Sequence, residues 1–169
     1  MKTKKTAFFG MFLALALVAG YVESLIPISL GVPGVKLGLA NIVTMIILYT
    51  LGFGAALLLS GGRILLSGIL FGSGFAMVYS AAGALCSIFV MVLLKKANRF
   101  SSVGVSVAGG VFHNVGQILV AMAVLETGSL IYYLPVLILS GLAAGVAVGV
   151  ISGLMIKRID PVIRQNMME

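Results

Sequence analysis

Charge is scarce in this chain: of 169 residues only 9% are charged, and no more than four are acidic. Asp160 is the single aspartate, so the aspartate-rich magnesium site that diphosphate chemistry requires cannot be assembled. There is one cysteine, Cys86, and one histidine, His113, which excludes a disulfide framework and an ordinary Cys/His metal cluster. Cys86, between Leu85 and Ser87 in an apolar stretch, reads as a small buried hydrophobe. No Walker A glycine loop is present, and nothing marks a nucleophile elbow with an acidic partner for His113. An autonomous enzyme and an autonomous ATP-driven pump are both disfavoured, and no cofactor is expected. The absence of a convincing internal repeat disfavours an inverted-repeat secondary transporter.

What fills the chain is apolar side chain. Hydrophobic residues make up 61% of it and the mean hydropathy is +1.23, far outside the range of a soluble domain. The length suits one helical bundle, so residues 1–169 are read as a single integral membrane domain. A net charge of +7 would suit nucleic acid, but the basic residues sit at the ends of apolar runs, where charge sets membrane topology. The lipid bilayer, not nucleic acid, is the expected surrounding.

Charge-free stretches run from Thr6 to Val22, Leu37 to Gly62, Ile64 to Leu94, Phe100 to Leu125 and Thr127 to Ile156. A helix needs about 20 apolar residues to span about 30 Å of hydrocarbon. The first and the last two stretches supply one span each; the region from Leu37 to Leu94 could hold two long helices or three short ones. Basic residues decide. Lys2, Lys4, Lys5, Lys95, Lys96, Arg99, Lys157, Arg158 and Arg164 all fall on one side if the middle region crosses three times, and that side is cytoplasmic. Gly52-Phe53-Gly54 and Gly72-Ser73-Gly74 divide the region at suitable places.

The expected architecture is therefore all-α, a bundle of six transmembrane helices with both termini cytoplasmic. Its spans lie near 6–25, 37–51, 54–71, 75–94, 103–125 and 131–156. The N-terminus resembles a signal peptide, but its apolar core is long and its removal would leave an odd number of spans, so an uncleaved first helix is expected. The segment 26–35, with two prolines and two glycines among apolar residues, is expected to fold back over the outer mouth.

Against this background the strongly polar residues stand out. Arg63 interrupts the middle region, and a guanidinium at bilayer depth must be paired or wet. Glu23 ends the first helix, Lys36 and Asn41 open the second, and His113, Asn114 and Gln117 cluster in the fifth, with His113 and Gln117 on one face. A structural reading makes Arg63–Glu23 an internal clamp and the fifth-helix group interhelical glue. A functional reading has all seven converge on a cavity in the outer half of the bundle, neutral to positive and suited to a polar or anionic ligand. Lys36 and Glu126, at helix ends, can snorkel to water at little cost. Gly10 and Ala14, four apart in the first helix, form a small-residue face that lets another helix approach closely, and Ala16, Ala19 and Gly20 extend the small-residue content. The last helix, with Gly141, Ala144, Gly145, Gly149 and Gly153, is expected to pack within its own bundle.

Glu23-Ser24-Leu25-Ile26-Pro27, the run Pro33 to Val43 (PGVKLGLANIV), Arg63-Ile64-Leu65-Leu66, Leu70-Phe71-Gly72 and His113-Asn114-Val115-Gly116-Gln117 are spread over most of the chain. In these stretches the sequence resembles the Gx transporter family, often labelled heptaprenyl diphosphate synthase component I. That family is similar to the substrate-binding S components of energy-coupling factor transporters. The resemblance implies a six-helix protein of the cytoplasmic (inner) membrane that takes a small-molecule substrate from outside. Its implied partners are a transmembrane T component and ATPase subunits, with the Gly10/Ala14 face as the docking surface; the family's usual pattern there is Ala-x-x-x-Ala. The implied ligand is a small polar or anionic nutrient, or a quinone- or flavin-related compound. The alternative is a non-catalytic membrane partner of a prenyl diphosphate synthase or of a flavin/quinone electron-transfer system.

Overall fold

The computed structural model of the chain describes residues 2–25 and 38–168. Among these the fold is all-helical: α1 (Lys2–Leu25), α2 (Leu39–Thr50), α3 (Phe53–Phe71), α4 (Gly74–Lys96), α5 (Ser102–Val124) and α6 (Leu134–Met168), with a 3-10 helix over Gly128–Tyr133 leading into α6. Serines start two of them. Ser73 Oγ accepts the Ala76 N–H and Ser101 Oγ the Gly104 N–H, each at 3.2 Å, satisfying amides that a helix start leaves unpaired.

Five of the helices are long and apolar enough to cross a membrane. The expected span at 37–51 is the exception. Its helical part, α2, has 12 residues and so is about 18 Å long, little over half the hydrocarbon thickness. It is the most enclosed element, with Ala40 and all of Val43 to Leu48 buried. The expected span at 131–156 lies within the apolar stretch Gly128–Ile163, and its helix, α6, continues past Lys157 and Arg158 through Pro161. Charges end an apolar run without ending a helix. The segment 26–35, expected to cover the outer mouth, lies outside the described residues, as does Lys36.

The helices form a closed ring in which α1 touches α2, α2 touches α6, and α5, α4 and α3 follow in turn back to α1. They alternate in direction. At one end, Lys95 Nζ of α4 donates to the Leu48 carbonyl of α2 at 2.7 Å and sits 4.8 Å over the Tyr49 ring, while Asp160 of α6 is the carboxylate that acts on it. The cation thus serves the C-terminal carbonyls of α2 and its positive charge suits that end of the helix. At the opposite end Tyr21 of α1 packs against Phe71 of α3 in a tilted pair, ring centroids 4.9 Å apart. The main apolar core, including Phe12, Met45, Ile46, Ile47, Leu48, Leu59 and Ile88, fills the Lys95 end.

Glycine decides how closely the ring closes. A Cβ on Gly145 would lie 2.6 Å from Val107 Cα, one on Gly149 2.7 Å from Val103 Cα, and one on Gly110 2.5 Å from the Gly141 carbonyl oxygen. The α5–α6 contact is therefore backbone on backbone, as the sixth-helix glycines led one to expect. Gly10 has nothing within 4 Å of a Cβ built on it. Gly145→Ala is expected to destabilise the bundle by about 1–3 kcal/mol, the usual cost of overpacking. Gly10→Ala should leave bundle stability within about 0.5 kcal/mol of the parent, as for other uncrowded surface sites. Thermal or denaturant unfolding of the two variants in the same membrane mimetic checks this pair.

Candidate functional site

Six of the seven sequence candidates line one central cavity: Glu23, Asn41, Arg63, His113, Asn114 and Gln117. They come from α1, α2, α3 and α5, and side chains of α4 and α6 complete the wall. The cavity lies between the apolar core and the end of the bundle where α1 meets α2. Its volume of about 70 Å³ takes a few water molecules and is small beside the roughly 300–1,000 Å³ of typical ligand pockets. It suits a compact polar group.

Each polar residue has a distinct situation. The Glu23 carboxylate accepts the Gly38 backbone N–H at 2.5 Å, tying the end of α1 to the start of α2. Gly38 has φ +78°, a left-handed conformation that favours glycine, and a Cβ there would make only ordinary contact with Val148 and Asn41. Arg63, midway along α3, passes over Gly20: its Nη1 lies 3.9 Å from where a Gly20 Cβ would be. The Arg63 Nε is buried without a hydrogen-bond partner, and Glu23 is the carboxylate whose charge acts on it. Gln117 is 1% exposed, and its Nε2 also has no partner. Its stem lies against α4 where Gly83 leaves room, since a Cβ on Gly83 would be 2.7 Å from Gln117 Cγ and 3.0 Å from His113 Cε1.

Asn114 behaves differently. Its Nδ2 donates to the Leu137 carbonyl at 2.6 Å and to Ser140 Oγ at 3.3 Å, so this amide is already committed to holding α6 against α5. Glu126 is exposed beyond the end of α5 with φ +49° and takes no part in the cavity wall.

Ser80, Ser87 and Ser106 also line the cavity although their polarity does not single them out in the sequence, and Ser140 accepts from Asn114. Ser80 and Ser87 are two turns apart on α4, and Ser106, Gly110, His113 and Gln117 are spaced four, three and four along α5. That spacing is the signal that places them on one face. The small-residue content of α1 also divides. Gly10 and Ala14 face outward, whereas Ala16 is fully buried and Gly20 lies under Arg63.

A second cavity of about 510 Å³ opens between α1, α2 and α6, lined almost wholly by apolar residues such as Phe8, Phe12, Ile46 and Met155, with Arg158 at its rim. It is larger, but it offers almost no polar group to orient a ligand. The central cavity does, with one guanidinium, one carboxylate, amides and hydroxyls. Among the described residues no group of three His, Cys, Asp or Glu is placed to hold a metal ion. The chemistry such a wall supports is recognition of a polar molecule.

A ring of long apolar helices around a polar cavity defines a multi-pass membrane protein. Residues 12–155 match the family model described as heptaprenyl diphosphate synthase component I, and the chain belongs to that family. No curated protein and no solved structure matches it.

Proposed function

We propose that this protein is the substrate-capture subunit of an energy-coupling factor type importer in the cytoplasmic membrane. The observation that carries the reading is convergence. Residues from Glu23 to Gln117, separated along the chain by apolar helix, meet in one cavity, and Arg63 and Gln117 each keep a buried donor without a partner. A buried unpaired donor costs free energy that an internal clamp would have recovered. The reading takes both termini as cytoplasmic and the α1–α2 end as outward, so that the cavity meets its ligand from outside. Its volume favours a small polar or anionic nutrient; a flavin or quinone ring needs the cavity to widen. The outward Gly10/Ala14 face of α1, the least covered of the long helices, is the docking surface for the T component.

Affinity purification from membranes, followed by native mass spectrometry, tests this. A T component, two ATPases and a retained small molecule are the expected companions. The second reading, a non-catalytic membrane partner of a soluble prenyl diphosphate synthase, is favoured by the family description, and co-purification of such a synthase without ATPases would replace the first reading. Orientation has its own test on a Cys86→Ala background. A cysteine at Asn98 is expected to resist membrane-impermeant thiol reagents in intact cells while one at Ser29 reacts; labelling at 98 alone would reverse the topology.

A further inference from the structure

The central cavity also carries information about the chemistry of its ligand. The two buried groups without partners, Arg63 Nε and Gln117 Nε2, are both N–H donors. They line the same cavity, whose volume of about 70 Å³ admits a compact ligand group. What they need is a pair of acceptor oxygens, and a guanidinium presents Nε–H and a neighbouring N–H in the parallel geometry that a carboxylate matches.

Charge selects within the oxyanions. Glu23 shares the cavity, and its field acts on Arg63. Its carboxylate, however, already accepts the Gly38 N–H at the start of α2, where the helix N-terminus favours negative charge. That bond occupies the carboxylate without cancelling its charge, and the Arg63 Nε–H remains without an acceptor. With Glu23 and Arg63 opposite in sign, a carboxylate adds one negative charge to the wall and a dianion two, with His113 the one other described wall residue able to turn positive, and uncompensated buried charge is costly.

We infer that the ligand presents a carboxylate monoanion to this cavity, held by Arg63 through Nε and a neighbouring guanidinium N–H and by Gln117 through Nε2. The inference rests on the reading of this cavity as a ligand site. Gly83 is a positioning residue for the contact, because it makes the room in which the Gln117 stem lies.

The test uses matched pairs of small probes on the purified full-length protein in lipid nanodiscs: acetate, propionate and benzoate against acetamide, propionamide and benzamide, with inorganic phosphate as the dianion. Thermal unfolding is followed as each is titrated at constant ionic strength. At least one acid is expected to raise the melting temperature saturably while its amide does not. That effect should vanish in Arg63→Gln, and in Gln117→Leu binding should weaken roughly tenfold or more, the usual loss of one hydrogen bond to a charged group. The acid–amide comparison on the unmodified protein stands even if a variant fails to fold. Equal stabilisation by acid and amide, stabilisation by phosphate alone, no stabilisation by any acid, or an acid effect that survives Arg63→Gln each overturns the inference. Failure of the import reading looks different. A neutral molecule retained in native mass spectrometry removes the carboxylate and leaves import standing, whereas acid binding without a T component or ATPases removes import and leaves the carboxylate site.

Discussion

Arg63→Ala is expected to abolish ligand binding while leaving the ligand-free protein at least as stable as its parent. An arginine at bilayer depth costs about 3 kcal/mol by insertion measurements, and here its Nε is buried without a partner. Removing it relieves that cost and orphans no donor or acceptor among the described hydrogen bonds, since the Glu23 carboxylate is held by Gly38. Arg63→Lys should also lose binding, because an ammonium keeps the charge but not the planar fork. Glu23→Ala behaves oppositely: it strips the Gly38 N–H of its acceptor and is expected to cost about 1–3 kcal/mol, the penalty of an unsatisfied buried group. Melting temperature and ligand affinity measured on Arg63→Ala, Glu23→Ala and the double variant separate the roles. A destabilised Arg63→Ala rescued by Glu23→Ala in both properties would make the pair a structural clamp and remove Arg63 from the binding site. Asn41→Ala and His113→Ala are expected to weaken binding with the bundle still folded. Asn114→Ala should act chiefly on stability, since its amide is spent on Leu137 and Ser140.

Gly10→Leu and Ala14→Leu are expected to prevent assembly with the T component without unfolding the protein. Both residues are exposed on the outward face of α1, and nothing lies within 4 Å of a Cβ on Gly10. Their exposure lets a bulky side chain turn away from the bundle. In a close helix–helix contact it costs about 1–3 kcal/mol, equivalent to about 5- to 150-fold in the partner's dissociation constant. Pull-down yield against ligand affinity reads the two properties separately. Normal yield for both variants would move the docking surface away from α1, and the apolar groove between α1, α2 and α6 would become the next place to substitute.

These expectations show how unevenly the chain discloses itself. That it is a helical membrane protein follows from composition and the length of its apolar runs alone, because an unbroken run of about 20 apolar residues satisfies its backbone in hydrocarbon as a helix, whereas barrel strands are short and alternate. Which residues deserve suspicion follows too. Glu23, Arg63, His113 and Gln117 are conspicuous because the bilayer penalises them, and that penalty needs no knowledge of neighbours. The glycine pairs bracketing α3 mark its limits to within a residue or two, since glycine punctuates an apolar run wherever it falls.

Neighbours are what the linear pattern could not supply. Asn114 and Gln117 are equally polar and three residues apart, yet one is tied to α6 and the other keeps an unpartnered amide beside the cavity. Hydropathy treats α2 as one more span, whereas its place in the ring is that of a short, largely buried helix of 12 residues. Both Gly10 and Gly145 are small residues in apolar helices, but a Cβ on Gly10 meets nothing within 4 Å while one on Gly145 would lie 2.6 Å from Val107 Cα. The reason is the same in each case. Exclusion from water depends on what a residue is, so it is written along the sequence. Pairing depends on which helices become adjacent, and that is decided only when α5 and α6 close backbone to backbone and bring α4, α3, α1 and α2 round the cavity with them.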